Sequence, residues 1–155
     1  MYGRNLKAYQ KTNVNAELAV ADPYYVTKLL YQGLYERIAQ AKGAIERGDL
    51  ALKAKKLSSA TAILENLRST LDFSQSKSIA QSLFDIYSYM LDQLTEASIK
   101  LITQPLDNAL RAFMPIKKAW DSIPYEAQKE AQSRRTQEQL DIDLNNDAHI
   151  AKGFI

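Results

Sequence analysis

The chain has 155 residues, 46% of them apolar and 25% charged, with a formal net charge of +2. That is one globular domain's worth of chain, long enough to bury a core unaided and too evenly charged to name nucleic acid or an acidic membrane as a partner. The lack of cysteine and the single histidine, His149, exclude disulfides, thiolate metal sites, paired-histidine sites and nearly every Ser-His or Cys-His nucleophile.

Five glycines and four prolines are few turn formers for a β-rich chain, and good helix formers dominate instead. No apolar run approaches the ~20 residues of a membrane span. Residues 1–21 hold no apolar stretch of the kind a secretory signal needs. The expectation is a soluble, cytosolic, mostly helical protein.

In chain order, the first helix opens at Asp22-Pro23, a capping aspartate followed by proline at the first helical position. Leu30, Leu34, Ile38, Ala41 and Ile45 fall within about 80° on its wheel, and Gly48 ends it. Asp49 caps the second helix, whose stripe is Leu50, Leu57, Ala60, Leu64, Leu67 and Leu71. So short a link makes the two antiparallel. The serine-rich stretch Asp72 to Ser78 reads as a loop.

The third helix is predicted over about Ile79 to Thr103, with a stripe from Ile79 and Leu83 through Tyr87, Met90 and Leu94 to Leu101. A second shoulder of Ala80, Phe84, Leu91 and Ile102 widens its apolar arc, which implies either several neighbours or one neighbour plus a partner. Pro105 restarts the chain as a fourth helix facing inward through Leu106, Leu110, Phe113, Ile116 and Trp120, with a kink expected at Pro115.

Together these elements predict an all-α fold: an antiparallel four-helix bundle (residues 22–123) between an N-terminal arm (1–21) and a polar C-terminal extension (124–155). The extension carries a fifth helical pattern, Glu126 to Leu140, without an apolar stripe. It reads as solvated or frayed, and Asn145 to Ile155 as unstructured.

Catalytic and metal-binding patterns are missing. There is no Glu-x-x-His pair for a di-iron bundle and no phosphate-cradling glycine loop. Glu36, Glu46, Glu65, Asp85, Asp92 and Glu96 fall on polar arcs and read as solvated helix faces. Lys53, Lys55 and Lys56, and Arg134-Arg135, are short basic clusters balanced by nearby acids. No enzyme activity, cofactor, metal or nucleic-acid partner is expected.

Tyrosine is the unusual residue: nine of them against four phenylalanines. Tyr24, Tyr31 and Tyr35 border the first helix's stripe, where they either cover the bundle's edge or form a protein-binding surface. Val26, Leu29, Ile63 and Ile99 sit off the core stripes. With the shoulder of the third helix they suggest a groove for a partner helix. Leu29, Ile63, Phe84 and Leu91 are the candidate binding residues.

Several segments together carry a family resemblance: Leu6-Lys7-Ala8-Tyr9-Gln10, Leu30-Tyr31-Gln32-Gly33, Ile63-Leu64-Glu65-Asn66-Leu67, Tyr87-Ser88-Tyr89-Met90 and Ala119-Trp120. Their order and spacing over about residues 2–123 resemble FliS, the flagellar export chaperone family. The resemblance implies a cytoplasmic protein that binds the C-terminal segment of flagellin, prevents premature polymerisation and assists delivery to the export gate, the cytoplasmic domain of FlhA. It implies that Leu6 and Tyr9 serve gate docking, and that the N-terminal arm covers the binding surface until the client displaces it. Gln32, Ser76-Lys77, Ser98, Pro115 and the long tail depart from the family pattern and leave the client's identity open. The alternative is a non-enzymatic helical adaptor that forms a homodimer or serves another secreted client.

Overall fold

The computed structural model describes residues 23–153. It consists of five helices: α1 (Pro23–Arg47), α2 (Leu50–Ser69), α3 (Lys77–Lys100), α4 (Gln104–Asp121) and α5 (Tyr125–Gly153). No strand occurs among the described residues. The predicted all-α bundle with a C-terminal fifth helix is the observed architecture. Residues 25–121 form one compact unit, and α5 belongs to a second.

Local chemistry sets the helix ends. Gly48 adopts φ +73°, the left-handed conformation that costs glycine nothing. Its N–H donates to the Ile45 carbonyl and that of Asp49 to the Ala44 carbonyl, at 3.1 and 2.8 Å, which satisfies the last carbonyls of α1. Asp49 then turns the chain into α2, its carboxylate accepting from the Leu52 N–H at 3.1 Å. The Ser76 hydroxyl caps α3 in the same way, accepting from Ile79 N–H. Leu101 ends α3 at φ 55°, a conformation that costs a branched side chain about 1–2 kcal/mol.

The core of the four-helix unit joins Tyr31, Leu34 and Ile38 of α1, Leu57 and Leu64 of α2, Tyr87, Met90 and Leu94 of α3, and Leu106 and Phe113 of α4. At about 1.5–3 kcal/mol for each large side chain fully buried, this set dominates the unit's stability. α3 runs closely beside both α2 and α4 and meets α1 through Tyr87, as its wide apolar arc implies. Small buried residues, Ala60 on α2 and Ala97 on α3, allow the close approach.

Several local expectations are corrected. α3 spans Lys77–Lys100 instead of Ile79 to Thr103, because Ser76 supplies the N-cap and Leu101 leaves helical geometry. Ile79 and Leu101, both assigned to its core stripe, are exposed, as is Leu50 on α2. Leu50 and Ile79 lie in the first turn of their helices and Leu101 just past the end of one, where the apolar period continues but burial does not. Tyr31 is buried in the core, because Tyr87 satisfies its hydroxyl there. As expected, α4 has Pro115 inside it; the residue is exposed, so the lost ladder bond is open to water.

In the second unit, α5 runs unbroken to Gly153, so 145–153 is helical and not unstructured. Side chains from Thr136 to Ala148 are exposed, including Leu140, Ile142 and Leu144. Repeated i,i+4 contacts support it: Arg134 with Glu130, Gln137 with Asp141, Gln139 with Asp143. The Arg135 guanidinium lies 5.1 Å from the Tyr24 ring centre. Leu6 and Tyr9, with the rest of the N-terminal arm, and Phe154 and Ile155 lie outside the described residues.

Candidate binding groove

The face of α2 that repeats at i, i+4, i+7 and i+8 presents Ala54, Ser58, Thr61 and Ala62, all short side chains. Opposite, α3 offers Thr95, Ser98 and Ile99. Between them opens a groove of about 420 Å³ floored by Leu57 and Leu94. Short walls over an apolar floor make a channel that a helix carrying larger side chains can fill. Ile99 is 76% exposed on its rim, apolar area that a covering partner would remove from water.

Two cations tie α2 to α3 along this groove. The Lys53 ammonium donates to the Ser98 carbonyl at 3.2 Å. Fifteen residues further along α2, Arg68 donates to the Ser88 hydroxyl at 3.2 Å and holds its guanidinium 5.5 Å from the Phe84 ring centre. The Lys53–Arg68 interval corresponds to about 22 Å of helix. Glu65, read in the sequence as a solvated face, lines the groove.

The four candidate residues fall on two sides of the unit. Phe84 and Leu91 continue the groove face of α3, on which Phe84, Ser88, Leu91, Thr95 and Ser98 recur at helical spacing. Phe84 is 37% exposed and Leu91 packs partly on the core. Ile63 instead faces α1: its Cδ1 lies 3.8 Å from the place a Cβ on Gly33 would take. Leu29, 51% exposed, sits one turn before Gly33 on the same face of α1. There Arg37 folds back to donate to the Gly33 carbonyl at 3.0 Å and to the Ser59 hydroxyl at 2.5 Å. A Cβ on Gly33 would stand 2.8 Å from this guanidinium, so the glycine makes room for a polar tie between α1 and α2.

Sequence reasoning did not select Ser58, Thr61, Ala62, Thr95 and Ser98, since short side chains off the main stripes give little apolar signal. Their recurrence on one face was the available clue. Three of the other five carboxylates have ordinary roles: Glu36 accepts from Gln32, Asp85 from Gln81, and Glu96 pairs with Lys100. Among the described residues no group of three or more metal-ligating side chains gathers, and no helix is long and apolar enough to cross a membrane.

The fold and the site define a helical bundle with an open, short-walled groove over an apolar floor. Comparison with known proteins gives that class a family. The family described as flagellar protein FliS matches residues 5–128. The flagellar secretion chaperone FliS of Vibrio cholerae is 36% identical over 122 residues, 79% of this chain and 90% of that protein. The flagellar secretion chaperone FliSB of Pseudomonas aeruginosa is 34% identical over 120 residues, 77% and 95% of the two chains. That of Bacillus subtilis is 32% identical over 113 residues, 73% and 80%. The chain belongs to the FliS family of flagellar secretion chaperones.

Proposed function

We propose that this chain is a cytoplasmic, non-enzymatic flagellar export chaperone that binds the C-terminal segment of flagellin. It prevents premature polymerisation and assists delivery to the cytoplasmic domain of FlhA at the export gate. Residues 22–123 form the client-binding domain, 1–21 the arm and 124–155 the extension. The α2–α3 groove takes an amphipathic helical part of the client, with Phe84 and Leu91 extending it. Leu29 and Ile63 offer a second apolar contact on the α1–α2 side. Leu6 and Tyr9 serve docking at the gate.

The observation that carries this reading is the groove itself, an apolar floor between short walls, in a chain that belongs to a family of secretion chaperones. Burial of the client's apolar side chains drives binding, and the ordering of a flexible segment offsets part of the gain. Calorimetric titration of the full chain with a flagellin C-terminal segment tests it. Saturable one-to-one binding with a negative heat-capacity change is expected. No binding, together with concentration-dependent self-association, would replace this reading by the homodimeric adaptor.

A further inference from the structure

We propose that Glu65 sets the specificity of the α2–α3 groove by selecting client helices that place a lysine or arginine opposite it. This rests on the groove being the client site. Glu65 is the one ionised side chain among the groove's lining residues; the others are apolar or carry hydroxyls. It has no ion pair or hydrogen bond among the described residues. Its natural partner on the same helix would be Arg68 at i+3. That guanidinium is instead turned across to α3, over the Phe84 ring and onto Ser88.

In the free protein this arrangement costs little, because Glu65 is exposed and hydrated. A helix laid into the groove strips that water away. A carboxylate covered without a counter-charge is penalised heavily, and an acidic client residue at the same place adds repulsion. A client cation restores the balance and gains a charge-assisted hydrogen bond. The groove floor therefore supplies affinity without sequence preference, and Glu65 fixes which helix binds and in which register.

The test uses the full chain and a flagellin C-terminal segment, with affinity measured by calorimetry and folding checked by circular dichroism. Glu65→Gln is expected to weaken binding about threefold and Glu65→Lys about tenfold or more. Reversing each Lys or Arg of the segment to Glu in turn should identify one position whose reversal restores binding to Glu65→Lys. Ala62→Trp, which fills the groove without touching its charge, is the control. If Ala62→Trp weakens binding while Glu65→Lys binds within twofold of wild type, the role of Glu65 is overturned and the groove stands. Loss in Glu65→Lys that no single reversal relieves also overturns it, because the effect is then diffuse charge. If Ala62→Trp has no effect, the groove is not the client site and both readings fall.

Discussion

The hydroxyls of Tyr31 on α1 and Tyr87 on α3 lie 2.5 Å apart inside the core. Both side chains are almost fully buried, at 1% and 2% exposure. The ring of Tyr31 also meets Phe113 and Trp120 of α4 edge-on, at centroid distances of 5.1 and 5.9 Å. One tyrosine of α1 thereby joins three of the four helices, and a single hydrogen bond lets two phenols replace phenylalanine there.

Removing one hydroxyl leaves the other buried and unsatisfied. Tyr31→Phe and Tyr87→Phe should each cost about 1–3 kcal/mol. The double replacement should cost clearly less than the sum, since neither orphan remains. Urea unfolding of the four proteins in a double-mutant cycle reads this directly, and strict additivity would contradict the pairing.

The same pair governs alkaline behaviour. Burial holds both phenols above the ordinary tyrosine value; the shared hydrogen bond offsets part of the rise at Tyr31 and adds to it at Tyr87. Folding therefore favours the protonated form. The contribution to stability is complete below the unfolded value of about 10 and is lost as pH rises above it through the folded values. Denaturant midpoints followed from pH 8 to 12 should stay level and then fall. A midpoint that climbs above pH 10 would reverse the sign and refute the argument.

Apolar anchors separate the two proposed contact sides. Phe84→Asp or Leu91→Asp should weaken the client by about 2 kcal/mol or more, some thirtyfold. Leu29→Asp measures the α1–α2 side independently. Normal binding by all three, with folding confirmed by circular dichroism, would sink the assignment of anchors.

Gate docking is a separate matter. Leu6→Ala combined with Tyr9→Ala should abolish retention by the export gate's cytoplasmic domain in a pull-down. Client affinity should remain within about threefold, or tighten if the arm occupies the groove in the free chain.

The distal part of α5 is exposed from Thr136 to Ala148 and contributes little burial. Deleting residues 136–155 should move the thermal midpoint by no more than about 2 °C. A larger drop in a calorimetric scan would mean that this segment packs on the rest of the chain.

Much of this protein is legible in its sequence. The apolar periods of Leu34, Ile38 and Ala41, of Leu57, Ala60 and Leu64, and of Met90, Leu94 and Ala97 specify helices and their buried faces, because helical spacing turns sequence directly into a stripe. Gly48 and Asp49 define a turn, since only particular residues satisfy exposed helix ends. The segments from Leu6 to Trp120, by their order and spacing, point to the family. Other features depend on which helix lies opposite. Tyr31 borders the stripe by pattern and becomes core only because Tyr87 meets its hydroxyl across the bundle. Ser58, Thr61, Thr95 and Ser98 look like solvated positions until α2 and α3 lie side by side and their short side chains open a groove. Glu65 reads as one more surface acid until Arg68 turns away from it. Periodicity reports how a helix relates to its own axis. Grooves and pairings are relations between helices, and packing the tertiary structure is what creates them.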